Sequence, residues 1–231
     1  MQRFDIINYL IDNYFPNSGK YLEIGVHSGD CFTAIRASDK SGVDPDPYAS
    51  HVEFREFSDD FFKRLERGET RFPIDHKWDI IFIDGLHLAD QCYRDVLNSM
   101  NHVSTNGFIV LHDTYPKSAF DCHSDLGLSV ERWPNPWNGT VWKVVYYLRA
   151  SANYDIKTVD TDYGVSIISM GKRAEPIDHY NKFFEYGQMK NRAEEDLGLI
   201  STDKFLELFA KQIQINKSMK FNDLLLASAA R

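Results

Sequence analysis

The stretch DIIFIDGLH, residues 79–87, joins a run of apolar residues to an acid, a glycine and a histidine. Ile80, Ile81, Phe82 and Ile83 show no polar alternation, the pattern of a strand covered on both faces. A sheet made of such strands is mostly parallel and carries a layer of helices on each side. The polar half poses the functional question. Asp84 and His87 are either an ordinary strand end or reactive groups placed at the rim of a sheet.

Working outward, GFIVLHD (residues 107–113) repeats the pattern, an apolar run ending in polar residues. Between the two runs, Leu88, Cys92, Val96 and Leu97 have helical spacing. Upstream, residues 3–15 carry a helical stripe of Phe4, Ile7, Leu10, Ile11 and Tyr14, stopped by Pro16, Asn17 and Gly19. KYLEIGV (20–26) reads as a first strand and GDCFTAIRAS (29–38) as a helix. SGVDPDP (41–47) is a short strand turned by its prolines, and HVEFREFSDDFFKRL (51–65) a strand passing into a helix. Downstream, 114–139 is a long loop, TVWKVVYYLRA (140–150) a helix, and 155–161 with 163–170 a closing strand pair around Gly164. Strands alternating with helices predict an α/β, doubly wound, mostly parallel sheet within residues 1–170. Residues 171–231 form a polar, helix-rich extension without a strand signal, suited to a lid or to wrapping a partner subunit in a homo-oligomer.

Composition narrows the function. A formal charge of −8 over 231 residues leaves no basic surplus for nucleic acid. No apolar run approaches the roughly 20 residues of a membrane-spanning helix, and no signal-like segment opens the chain. The three cysteines, Cys31, Cys92 and Cys122, have no disulfide or zinc spacing and read as reduced thiols. These features point to the cytosol.

Ligands of open α/β sheets bind beyond the carboxyl ends of the strands, where the strand order switches. At the first strand end, YLEIGVHSGDC holds Glu23 inside the strand, with Gly25 and Gly29 after it. Glycine there allows a sharp turn and a close backbone approach, by a ligand or merely by the chain itself. The dinucleotide pattern G-x-G-x-x-G is absent, because His27 stands at its second glycine. Asp44, about 20 residues further on, could accept bonds from ribose hydroxyls. Ser58 and Asp59 could meet an adenine edge.

LEIGVHSG resembles the first motif of class I S-adenosylmethionine-dependent methyltransferases, GVDPDP their second, and FSDDFF their adenine-binding segment. The resemblance spans roughly residues 20–170 and implies the seven-stranded Rossmann-like fold of that family. It also implies S-adenosyl-L-methionine as cofactor, held by Glu23, Gly25, His27, Gly29, Asp44, Ser58, Asp59 and Asp84. His27 departs from the family's glycine pattern.

At the other strand ends, Asp84 and Asp113 are hard oxygen ligands suited to magnesium, and His112 adds a nitrogen better suited to manganese. A divalent metal on Asp84, His112 and Asp113 would acidify a bound hydroxyl. His87, three residues past Asp84, could take the proton. A helix cap or a surface histidine is the bland alternative for each. Acids at these two strand ends resemble those of metal-dependent O-methyltransferases acting on catechols and macrolide sugars. In some of the latter, a histidine three residues after the first acid is the base. His112 stands where those enzymes carry a carboxylate, so a metal-free site is the competing expectation. Tyr115, Trp133 and Trp137 in the long loop could stack on a sugar or ring of the substrate, with Arg132 and Lys117 available for a phosphate. The expected activity is methyl transfer to a hydroxyl of a small polyhydroxylated acceptor, a sugar or nucleotide-activated sugar. Its rivals are a phenol, carboxylate or amine acceptor and a non-catalytic S-adenosylmethionine-binding protein.

Overall fold

The computed structural model describes residues 1–17, 19–46, 48–131, 137–171, 177 and 180–214. Helix α1 (Arg3–Tyr14) precedes β1 (Lys20–Ile24), α2 (Asp30–Ala34), β2 (Asp39–Val43), α3 (Ser58–Glu66) and β3 (Trp78–Ile83). Then follow α4 (Ala89–His102), β4 (Val103–Leu111), α5 (Leu126–Glu131), α6 (Trp142–Ala150) and the pair β5 (Asp155–Val159) and β6 (Val165–Ser169). The extension contributes α7 (Tyr186–Asn191), α8 (Ala193–Asp196), β7 (Leu199–Ile200) and a helix over residues 202–214.

All strands join one seven-stranded sheet in the order β2-β1-β3-β4-β6-β5-β7. β2, β1, β3 and β4 run parallel, and β6 runs antiparallel between β4 and β5. Successive residues of the continuous apolar runs serve opposite faces. Leu22, Ile81, Ile83 and Ile109 pack with α3, α4 and α6, while Tyr21, Ile80, Phe82 and Phe108 pack with α1, α2 and the last helix. That two-sided burial is why these strands lack polar alternation.

Two expectations change. The strand anticipated near residues 51–57 is reduced to a single bridge between Val43 and Phe54. Glu53, Arg55 and Glu56 surround the one inward aromatic, so this segment lacks the apolar content of an interior strand. Conversely, the extension does contain a strand, because β7 pairs in parallel with β5. Two residues are too few to leave a periodic signal.

The chain leaves β1 to build β2 on one side, then returns through β3 to build the other. The β1/β3 boundary is therefore the switch point, where a crevice opens at the carboxyl ends. Ile83 pairs with Leu111, which brings Asp84 and His112 to neighbouring strand ends.

Candidate active site

A cavity of about 660 Å³ lies at this switch point, within the usual range for small-molecule sites. The ends of β1, β2, β3 and β4 all contribute to it, through Gly25, Asp44, Asp84 and Asp113 among others. Its lining includes six carboxyl side chains (Glu23, Asp30, Asp44, Asp84, Asp95, Asp113) and one guanidinium, that of Arg3. With Glu23 held neutral and His87 and His112 protonated beside Arg3, the five aspartates leave the wall a modest negative excess, which favours a ligand that carries positive charge.

The β1 end is organised through backbone. Asp44 Oδ2 accepts the amide hydrogens of Val26 at 2.8 Å and His27 at 2.9 Å, and Oδ1 accepts that of Asp46 at 2.8 Å. The carboxylate thus clamps the loop after β1 and keeps a remaining lone pair for a ligand. Gly25 has φ 86°, and a Cβ there would run into the Asp84 carbonyl. Its glycine is required because the ends of β1 and β3 nearly touch. His27, at φ 47°, lines the cavity. Glu23 is buried and accepts a hydrogen bond from the Tyr21 hydroxyl; burial pushes its carboxyl up to about 8. Ser58 lines the cavity and donates to Asp95 Oδ1 at 2.6 Å, while Gln91 donates to the same oxygen at 3.0 Å.

The β3 and β4 ends are organised through charged side chains. His87 Nε2 lies 3.2 Å from Asp113 Oδ2 and 3.6 Å from Asp84 Oδ1. His112 Nδ1 stands 3.1 Å from Asp84 Oδ1 and 3.3 Å from Asp113 Oδ2. Its Nε2 faces Asp162 Oδ1 at 3.5 Å and Arg3 Nη1 at 3.3 Å. Arg3 in turn donates to both oxygens of Asp162, at 3.1 and 3.0 Å. Burial opposes protonation of His87, but its hydrogen bond to Asp84 and the charge of Asp113 outweigh it and raise its pKa to about 9. For Asp84, too, burial is outweighed: the charge of His112 holds it well below the usual carboxylate range. Asp162 is lowered to about 2, its burial being overcome by His112 and the Arg3 backbone N–H. Asp113 adopts φ 57°, a left-handed conformation that costs about 1 kcal/mol or more in a non-glycine residue.

One ligand atom each from Asp84, His87 and Asp113 lies within 4.8 Å of the others, so these three residues could hold a metal ion. The imidazole in that set belongs to His87. His112, expected as the nitrogen ligand, instead has both ring nitrogens directed at protein carboxylates.

Several anticipated residues lie elsewhere. Asp59 points to Arg94, 3.2 Å away, and is not part of the cavity wall. Gly29 caps α2 at φ 82° and packs against Ser50 and His51, also off the wall. Tyr115 is buried, donates its amide to Tyr163 O at 2.8 Å and lies under Lys190. Lys117 is engaged by Asp160 at 2.9 Å. Trp137 stacks on His87, ring centroids 5.3 Å apart. Arg132 and Trp133 lie outside the described residues. Arg3, Gln91, Asp95, Asn138 and Asp162 were not anticipated. Arg3 and Asp162 are 159 positions apart, and no local pattern couples them.

Against this geometry, residues 22–114 match a family described as "Methyltransferase domain". The matched segment is less than half of the chain. It holds the ends of β1 to β4, and hence most of the cavity wall. Comparison with curated proteins gives no match. Among solved structures, the chain is similar to the O-methyltransferase TomG from Streptomyces achromogenes, with 14% identity, TM-score 0.49, and 73% of this chain and 80% of that one covered. It is similar to the methyltransferase PaMTH1 from Podospora anserina, with 20% identity, TM-score 0.48, and coverage of 73% and 77%. A third is the sugar N-methyltransferase KedS8 from Streptoalloteichus sp., with 10% identity, TM-score 0.48, and coverage of 74% and 87%. No helix among the described residues is long and apolar enough to cross a membrane.

Proposed function

We propose that the protein is an S-adenosylmethionine-dependent O-methyltransferase acting on a small polyhydroxylated acceptor, with a sugar or nucleotide-activated sugar as the first class to test. One observation carries this reading: a single cavity joins the Asp44-clamped loop to the cluster of Asp84, His87 and Asp113. Donor and acceptor held in one cavity gain mainly by alignment. The acidic wall suits a donor bearing a sulfonium and an ammonium group. When bound, S-adenosylmethionine supplies a methyl group already activated for transfer.

In this reading Asp44 accepts ribose hydroxyls, and Ser58 with Gln91 and Asp95 forms the polar wall for the adenine. Asp84 and Asp113 would orient the acceptor hydroxyl, and His87 Nε2 would take its proton while the hydroxyl oxygen gains the methyl lost from the sulfonium sulfur, leaving S-adenosylhomocysteine. His87 Nδ1 is committed to the Trp137 carbonyl at 2.8 Å, which leaves Nε2 as the working nitrogen. Asp84 and Asp113 could hold a divalent cation, magnesium or manganese, which would lower the pKa of a hydroxyl beside it. Lys117 is already paired with Asp160, so the reading draws no support for a phosphate-bearing acceptor from that side chain.

The test is calorimetry with S-adenosylhomocysteine followed by transfer of a labelled methyl group across a panel of sugars, sugar nucleotides, phenols and amines. Saturable one-to-one binding and label on a sugar hydroxyl are expected. Absence of binding overturns the donor assignment, and label only on phenols or amines overturns the acceptor class.

A further inference from the structure

Four consecutive residues before α6, Trp137, Asn138, Gly139 and Thr140, converge on the two strand ends that carry the chemistry. The Trp137 carbonyl receives His87 Nδ1 at 2.8 Å, and its indole ring stacks on the imidazole. Thr140 donates its amide to the His87 carbonyl at 2.8 Å, and its hydroxyl receives the Ala89 amide at 2.7 Å, which caps the start of α4. Gly139 sits between them at φ 59°, so close to His87 that a Cβ there would run into the His87 carbonyl. Asn138 is fully buried and donates through Nδ2 to Asp113 Oδ1 at 2.5 Å. The amides of Asn138 and Gly139 anchor the segment to the Asp121 carbonyl at 2.8 and 3.0 Å.

This arrangement settles a geometric ambiguity. A carboxylate can rotate about its Cβ–Cγ bond, and because its two oxygens are equivalent, what a fixed partner sets is the orientation of its plane. With Asn138 on Oδ1, Asp113 has only Oδ2 for His87 Nε2 at 3.2 Å and His112 Nδ1 at 3.3 Å. Asp113 also holds a left-handed backbone conformation, and such strain persists where surrounding contacts fix it. The buried Asn138 amide is one of those contacts. A solvated loop would not place a fully buried asparagine there: burial of an amide is costly unless it is bonded. Its side-chain oxygen has no hydrogen-bond partner among the described residues, so the amide bond to Asp113 is what offsets that cost.

We propose that Asn138 is a positioning residue, which fixes the plane of the Asp113 carboxylate so that its other oxygen faces His87, and that Trp137, Gly139 and Thr140 lock the imidazole against it. The inference rests on the methyltransferase reading for what His87 and Asp113 accomplish, but the geometry it claims can be measured apart from turnover.

The full-length chain labelled with ¹⁵N-histidine reports the His87 ring nitrogens, assigned through a His87→Asn variant. Two substitutions remove the donor: Asn138→Ala truncates the side chain, and Asn138→Leu keeps its size where truncation prevents folding. S-adenosylhomocysteine calorimetry on each variant shows whether the donor pocket is intact. Expected are affinities within about threefold of the parent, with the His87 Nε2 resonance displaced by more than its line width. With any acceptor that the parent turns over, kcat falls about tenfold or more and the KM for the donor stays put. A folded variant with parental His87 resonances overturns the positioning role. Failure of the parent chain itself to bind S-adenosylhomocysteine would overturn the functional reading and leave the ¹⁵N result to decide the positioning claim on its own.

Discussion

The two ends of the cavity are built by different means. Around β1 and β2, contacts are made by backbone: one carboxylate, Asp44, gathers three amide hydrogens, and Gly25 lets two strand ends meet. Around β3 and β4, side chains hold one another: Asp84, His87, His112, Asp113, Asp162 and Arg3 form a continuous run of ion pairs. A backbone-built region depends on chain path and tolerates many side chains. A region of mutually bonded charges depends on every member and responds to pH. Under the proposed function, the first design suits the adenosyl part of the donor, which the reaction leaves unchanged, and the second a hydroxyl whose proton must leave.

The sharpest way to break this contrast is His87→Ala. Turnover should drop about 100-fold or more, the usual scale for a lost general base, while affinity for S-adenosylhomocysteine stays within twofold by calorimetry. Loss of affinity equal to the loss of turnover would merge the two regions into one functional unit.

The same region should show a pH signature. With its pKa raised to about 9, His87 is largely protonated at neutral pH and gains its base form as pH rises. In enzyme treated with a chelator, turnover should therefore climb between pH 7 and 9. Stability should move the opposite way. The contribution of the charged imidazole is fully present below the ordinary histidine value of 6.5 and is lost as pH rises through about 9. Thermal melts across that interval, alongside rates, check both signs, and a flat rate profile would remove His87 from the proton-transfer step.

A smaller effect is expected at the other end of the cavity. Asp44→Ala should weaken S-adenosylhomocysteine binding by at least tenfold, about 1.4 kcal/mol, comparable to one charged hydrogen bond. Because Asp44 also clamps the loop after β1, protection of the Val26 and His27 amides from hydrogen exchange should fall in the same variant. Smallest of all is Asp59→Ala. Its carboxylate is paired with Arg94 outside the cavity, and surface pairs are worth about 0–1 kcal/mol, so donor affinity should change less than twofold.

The same contrast explains what could be read from sequence. The parallel strands were legible because Ile80 to Ile83 and Phe108 to Leu111 are buried on both sides, and unbroken apolar runs record that directly. Asp44, Asp84, His87, His112 and Asp113 were legible because strand ends on a parallel sheet fall at one rim. What joins them was not. Arg3 comes from the first helix and Asp162 from the β5–β6 turn, and only tertiary packing sets them on His112. Asn138 sat inside a stretch that read as loop, since an amide buried against a distant carboxylate has no periodicity. Asp59, adjacent to Ser58, was misplaced for a related reason: both meet α4, but Ser58 reaches Asp95 on the cavity wall and Asp59 reaches Arg94 outside it.

The strand β7 gives the sheet a different kind of protection. It pairs with β5 through Thr158 and Val159, and the helix that follows buries Phe205 against Tyr9 and Phe209 against Tyr14 and Phe108. A chain cut after residue 170 would leave β5 as an open edge, offering its amides and carbonyls as a template to other molecules. It would also uncover aromatic surface on the neighbouring face. Such a fragment should aggregate even with its cavity residues intact, because β7 and the helix after it are what cover this edge and its aromatic face.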